Sequence, residues 1–157
     1  MKHIISVLVE NKFGVLSRVS GLFSGRGFNI ETISIGPTLD SSISQMTIVT
    51  TGDERILEQI IKQLNKLIDV IKVTDFADKE FVEREMCLIK INAPLELRSE
   101  ALRIADIFRA RVVDSTQKSY TFQLTGDEKK INAFVELLQP MGIKEIVRTG
   151  KVAITRD

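Results

Sequence analysis

No tryptophan and only one tyrosine, one cysteine, one histidine and three prolines occur in the 157 residues, and each scarcity removes a class of chemistry. Cys87 has no second cysteine for an internal disulfide. Its place in the apolar run MCLIKI, residues 86–91, suits a small buried hydrophobe better than a reactive thiol. His3 opens a strand-like segment with no cluster of carboxylates or thiols at metal-ligand spacing, so neither a metal centre nor a catalytic histidine is expected. Ser17, Ser20 and Ser24 share one helical segment, but without another histidine none has a base to turn it into a nucleophile. Excess charge of one sign is missing as well. The 22 lysines and arginines against 21 acids leave a net charge of +1, too weak a field to hold nucleic acid or an anionic membrane. Long apolar runs are also absent. Between His3 and Glu10 the N-terminal segment offers six residues, too few for a signal-peptide core or a bilayer span, and a cytoplasmic protein is the expectation.

What the sequence does contain is repetition. Thr51-Gly52-Asp53-Glu54 recurs letter for letter as Thr125-Gly126-Asp127-Glu128, at an offset of 74 residues. At the same offset Leu57, Ile60, Ile61 and Leu64 align with Ile131, Phe134, Val135 and Leu138, all apolar and at helical spacing. The hydrophobic content of 43% is enough for two small domains, and the chain reads as two related halves.

In the first half, Ile4 to Val9 predicts a strand, and after Gly14 the steps Val15, Leu16, Val19, Leu22 and Phe23 mark one helix face. Gly25 and Gly27 end that helix. Phe28 to Ile35 and Ile43 to Thr51 predict two strands joined by a loop from Gly36-Pro37 through Ser42. Within the first of them the apolar phase slips from Phe28 and Ile30 to Ile33 and Ile35, which predicts a bulge. Asp53 caps a helix carrying Ile56, Leu57, Ile60, Ile61 and Leu64, and Val70 to Phe76 closes the unit.

The charged, aperiodic stretch 77–85 (ADKEFVERE) then predicts a linker, with Glu83 and Glu85, like Asp53 and Glu54, at solvated positions. The second half repeats the order: a strand from Met86 to Ile91, a helix opened by Pro94 along Leu97, Ala101, Ile104, Ala105 and Phe108, strands Arg111 to Asp114 and Tyr120 to Thr125, the Asp127 helix, and a strand Ile143 to Val147 that residues 148–157 extend. The fold class is α+β, two tandem ferredoxin-like βαββαβ domains at 1–76 and 86–157, each an antiparallel sheet with its helices on one face. Units of this size have thin cores and open sheet edges, so association through edge strands is expected.

One local arrangement points to ligand chemistry. Gly25-Arg26-Gly27 follows a helix and enters a strand, the reverse of a phosphate loop. At Glu10-Asn11-Lys12-Phe13-Gly14-Val15-Leu16-Ser17-Arg18, by contrast, a strand turns through glycine into a helix whose first N–H groups have no intrahelical partner. A carboxylate fits there: Asn11 adds a side-chain amide, Gly14 admits close approach, and Val15 and Leu16 offer amides at the positive end of the helix dipole. A capped turn with no ligand is the competing account of the same residues.

The segments Glu10-Asn11…Gly14-Val15-Leu16…Arg18 and Arg26-Gly27-Phe28-Asn29-Ile30 resemble the ACT-domain signature of amino-acid-regulated enzymes. More of the chain is similar to one family, the small regulatory subunits of bacterial acetolactate synthase. The residues that carry this are Leu57-Glu58-Gln59-Ile60, Lys62-Gln63-Leu64…Lys66-Leu67…Asp69-Val70, Val82-Glu83-Arg84-Glu85, Ile107-Phe108-Arg109 and Arg148-Thr149-Gly150. The resemblance covers essentially the whole chain, departing from the family pattern at Gly25 and Ala110.

The resemblance implies a chain that is not itself an enzyme and holds no cofactor. Thiamine diphosphate, magnesium and FAD would belong to a separate large catalytic subunit, which this chain activates in branched-chain amino acid biosynthesis. It implies a homodimer of ACT domains with the feedback effector, typically valine, between them. Asn11, Gly14, Val15 and Leu16 would come from one chain and Asn29 and Ile30 from the other, with no nucleic acid or membrane partner. A stand-alone ACT sensor of amino acids acting on another protein remains the alternative.

Overall fold

The computed structural model describes residues 2–157. Its strands and helices follow in the order β1 (Lys2–Glu10), α1 (Val15–Ser24), β2 (Asn29–Pro37), β3 (Ile43–Thr51), α2 (Glu54–Asn65), β4 (Val70–Asp75), β5 (Phe81–Asn92), α3 (Arg98–Phe108), β6 (Arg111–Ser115), β7 (Ser119–Gly126), α4 (Glu128–Leu138), β8 (Ile143–Arg148) and β9 (Val152–Thr155). Two compact units result, one containing the residues up to Glu83 together with Gly150–Asp157, the other Arg84–Thr149. Each carries the ferredoxin-like arrangement, with strand orders β2-β3-β1-β4 and β6-β7-β5-β8.

In the first unit, Val15, Val19 and Phe23 recur every four residues along α1, so one face of the helix is buried. They meet Leu57, Ile60 and Leu64 of α2 and the inward side chains Ile5, Val7, Val9, Met46 and Ile48 of the sheet. Asp53 caps α2 by accepting from the Arg55 N–H at 2.8 Å. The expected bulge lies in β2, where the pairing with β3 shifts register between Ile30 and Thr32. On the sheet's second face Ser6, Thr47 and Val49 alternate with core residues yet are buried themselves. Ala153, Ile154 and Thr155 of β9 line a cavity of about 210 Å3 there, with Ser6, Leu8, Gln45, Lys72, Thr74 and Phe76.

That placement corrects the expectation that residues 148–157 prolong the last strand. Gly150, at φ +82°, ends the run of β8 and turns the chain, and β9 pairs with β5. Of the stretch 77–85, residues 77–80 are an exposed turn as expected, but residues 81–85 are not a linker. After a turn in which Phe76 and Phe81 stack edge to face at 5.2 Å, residues 81–85 form the opening of β5. Their charges are matched by cations from the end of the chain. Glu85 is buried and bonded to Arg148, whose Nε lies 2.8 Å from Glu85 Oε1, and Lys151 stands 3.8 Å from Glu83 with little of either side chain exposed.

The second unit rebuilds the first unit's core from the repeated positions. Ile131, Phe134 and Leu138 are completely buried, as their counterparts Leu57, Ile60 and Leu64 are to within 1%. Asp127 caps α4 through the Lys130 N–H at 2.9 Å. Phe134 is the centre of an aromatic cluster, 5.3 Å from the Phe108 ring and 6.0 Å from that of Phe122. The start of α3 differs from the expectation: Pro94 takes an extended ψ of 157° and caps a short 3-10 turn over Leu95–Leu97, and the α-helix begins at Arg98. Phe134→Ala empties the middle of that cluster and is expected to destabilise the second unit by about 3–5 kcal/mol; urea unfolding followed by circular dichroism measures it.

Candidate functional site

The turn from β1 into α1 is built from backbone. Glu10 N–H donates to Asp69 O at 2.8 Å, and Asn11 N–H donates to Ser42 O at 2.7 Å, so the turn is held by the ends of both neighbouring loops. The Asn11 side-chain Nδ2 donates to Ser41 O at 3.1 Å, which leaves its Oδ1 as an acceptor. Gly14 stands at the N-cap with φ +83°, and no side chain caps the helix. Arg18 N–H is the first to close an intrahelical bond, onto Gly14 O at 3.1 Å, while Val15 N–H reaches Lys12 O only at 3.4 Å. Helix geometry therefore leaves the N–H groups of Leu16 and Ser17 without an intrahelical acceptor, at the positive end of the α1 dipole.

The charges around this mouth cancel. Lys12 Nζ lies 2.9 Å from Glu10 Oε2, and that hydrogen bond, with the carboxylate's charge, holds the Lys12 ammonium above its ordinary pKa. Arg18 Nε donates to Asp69 Oδ2 at 3.1 Å. The Arg18 guanidinium also lies over Gly14, since a Cβ there would be 3.0 Å from Nη1. Neither Arg18 nor Asp69 was singled out from the sequence as a site residue; the available signal was Arg18's position one helical turn beyond Gly14. Three large apolar side chains are more than nine-tenths exposed: Phe13 on this turn itself, and Leu39 and Ile68 on the loops that Asn11 and Glu10 tie to it.

Of the six residues expected in an effector site, four meet here: Asn11, Gly14, Val15 and Leu16. Val15 turns its side chain into the core and presents only its backbone, whereas Leu16 is 43% exposed. Asn29 and Ile30 are elsewhere. Asn29 pairs with Thr51 and Thr51 with Lys2, so both residues lie at the start of β1 while Asn11 follows its end. Eight strand residues separate the two groups, roughly 25–30 Å. A single chain does not assemble the six.

The remaining reactive groups have structural surroundings. His3 is buried, and its Nε2 makes a hydrogen bond to Gly52 O at 3.3 Å. Among the described residues no three of His, Cys, Asp and Glu stand close enough to hold one metal ion, and no helix is long and apolar enough to cross a membrane. Gly25 and Gly27 terminate α1, Gly25 N–H donating to Gly21 O at 2.9 Å and Gly27 taking φ +74°.

The arrangement of both units is that of the ACT-type ferredoxin-like fold. Residues 5–72 match the family model for the AHAS small subunit-like ACT domain, and residues 84–157 match the model for the small subunit of acetolactate synthase. The chain is 53% identical to the acetolactate synthase small subunit of Aquifex aeolicus, over 99% of this chain and 82% of that one. It is 50% identical to that of Haemophilus influenzae, over 99% and 96%. It superposes on the crystal structure of the acetolactate synthase small subunit from Thermotoga maritima with a TM-score of 0.90 at 39% identity, over 99% of this chain and 98% of that one. This chain belongs to the acetolactate synthase small-subunit family.

Cys87, fully buried on the core face of β5, has its thiol pKa raised, first by burial. Alkylation by iodoacetamide at neutral pH is therefore expected to be slow in the native protein and to proceed at the rate of a free thiol once urea unfolds it; rapid labelling of folded protein, read by intact-mass spectrometry, is the contrary result.

Proposed function

We propose that this chain is the non-catalytic regulatory subunit of an acetolactate synthase in branched-chain amino acid biosynthesis, activating a large catalytic subunit and carrying feedback inhibition by valine. The observation that carries the site is the separation within one chain of Asn11 and Gly14 from Asn29 and Ile30. β2 is an edge strand that runs in the same direction as β1, because both pair antiparallel with β3. A second copy joined antiparallel along β2 sets its own Asn29 beside Pro37, and Pro37 shares the end of the sheet at which Asn11 stands, through Ser44 and Val9. The two groups then form a site twice over, once on each side of the two-fold axis.

Each half supplies what a small zwitterion needs. The carboxylate meets the open N–H groups of Leu16 and its neighbours, the ammonium meets Asn11 Oδ1, and an isopropyl group packs between Leu16 and the Ile30 of the second copy. A ligand of about eight heavy atoms held this way binds in the range of roughly micromolar to millimolar. In this reading thiamine diphosphate, magnesium and FAD are held by the large subunit, and no residue of this chain is assigned to them.

The test is calorimetry with valine on the isolated chain, together with turnover of the reconstituted synthase with and without valine. Gly14→Asp is expected to lower valine affinity at least tenfold while the circular dichroism spectrum persists. Aspartate tolerates the left-handed backbone better than most residues and sets a carboxylate against the same amides. Asn29→His is expected to weaken binding from the opposite side of the interface. Unchanged valine binding in a folded Gly14→Asp protein rejects the assigned site.

A further inference from the structure

The last eight residues have no part in that effector site, yet they belong to the first unit and pack against it. Gly150 lies close against β2. At its φ of +82°, a Cβ would stand 3.0 Å from Thr32 Cβ and 3.2 Å from Ser34 Oγ, so its bare backbone rests directly on β2. Beyond it Lys151 stands 3.8 Å from Glu83, Ala153 is buried, and Arg156 N–H donates to Glu80 O at 2.8 Å. Beneath Gly150 the Thr32 hydroxyl is buried with no hydrogen-bond partner. A buried orphan hydroxyl disfavours the arrangement that holds it, and any shift that brings it to an acceptor is a competing state. Lifting Gly150 off β2 would open that hydroxyl to water, so unseating recovers part of what the close contact costs.

Its position in the fold gives that contact a use. Thr32 and Ser34 lie just beyond Ile30 on the same strand, with the bulge at Glu31 between them. The bulge bends β2 between the two pairs, so the strand's local twist there sets how Thr32 and Ser34 are presented to Gly150 relative to Asn29 and Ile30. On the other side Gly150 follows Thr149, whose N–H donates to Met86 O at 3.0 Å and whose hydroxyl accepts from Met86 N–H at 3.1 Å within the second unit. The chain passes between the units only at Glu83–Arg84 and Thr149–Gly150, and the strap is one of those two crossings.

From these contacts we infer that residues 150–157 are a regulatory strap: effector bound at the start of β2 changes how Gly150 seats on Thr32 and Ser34, and that change passes along the chain to the second unit. The inference rests on the effector reading above. Hydrogen exchange of the full-length chain is expected to show the amides of residues 150–156 changing protection at least threefold when valine binds. In the synthase reconstituted from both subunits, Gly150→Val forces a Cβ onto Thr32 and unseats the strap. Thr32→Val replaces the orphan hydroxyl with a methyl group and favours the seated state. The valine concentration for half inhibition is expected to move in opposite directions in the two variants, by about fivefold or more, with activation in the absence of valine unchanged within twofold. Strap amides indifferent to bound valine, or shifts that share a direction or vanish, overturn the strap. Should Gly150→Val not fold, Lys151→Glu sets a carboxylate against Glu83 and replaces it in the same comparison. Failure of the unsubstituted chain to bind valine overturns the effector reading and the strap with it, whereas binding with a silent strap overturns the strap alone.

Discussion

The register in which β2, β3 and β1 pair governs the first unit. Asn29, Thr51 and Lys2 lie side by side at one end of the sheet, and Pro37, Ser44 and Val9 at the other. Because β1 and β2 run the same way, the strand-to-helix turn after Glu10 and the start of β2 face opposite ends. A slip of one residue would turn Ile5, Val7 and Val9 out of the core, so the buried face pins this register as strongly as it pins the fold. Separation of the two groups of candidate residues is thus a consequence of core packing, and in the proposed dimer the edge of β2 supplies the backbone groups that the second copy would pair with.

The internal repeat shows what one pattern holds constant and what it leaves free. Leu57, Ile60 and Leu64 and their counterparts Ile131, Phe134 and Leu138 occupy the same place on the second helix of each unit, after the same aspartate cap. The strand orders agree as well. The sheets' second faces diverge, because burial there depends on neighbours that the repeat does not encode. On the first sheet, residues as polar as Ser6 and Thr47 are covered. On the second, Leu88 and its cross-strand neighbour Val147 are 37% and 56% exposed.

Much of this was legible in the sequence because it is local. Helical spacing located α1, α2 and α4, the phase slip located the β2 bulge, and glycine before an apolar helix face located the uncapped turn at Gly14. Apart from the short 3-10 turn that follows Pro94 ahead of α3, the misses were choices of tertiary partner. Charge along 77–85 suggests solvent, but Glu85 and Glu83 are matched by Arg148 and Lys151, more than sixty residues away in sequence. Two of the segments that carry the family resemblance, Val82 to Glu85 and Arg148 to Gly150, prove to be the two sides of the Glu85–Arg148 pair. No window along the chain contains both. The same holds at the mouth of α1, where Arg18 finds Asp69 across 51 residues.

That pairing of Arg18 with Asp69, and of Lys12 with Glu10, bears on how a zwitterion would be recognised. With each fixed charge beside its opposite, the mouth offers no net field to concentrate anions, and selectivity falls to backbone amides, one Asn oxygen and apolar contact. Binding of that kind depends weakly on salt and strongly on shape. In the proposed dimer it also depends on association, since each chain holds only half of each site. A ligand that binds the assembled seam and neither half stabilises the assembly by mass action, and assembly raises the ligand's apparent affinity by the same factor. Effector binding and pairing of the first units are then two readings of one equilibrium, set by the register that keeps Asn29 away from Asn11 in the single chain.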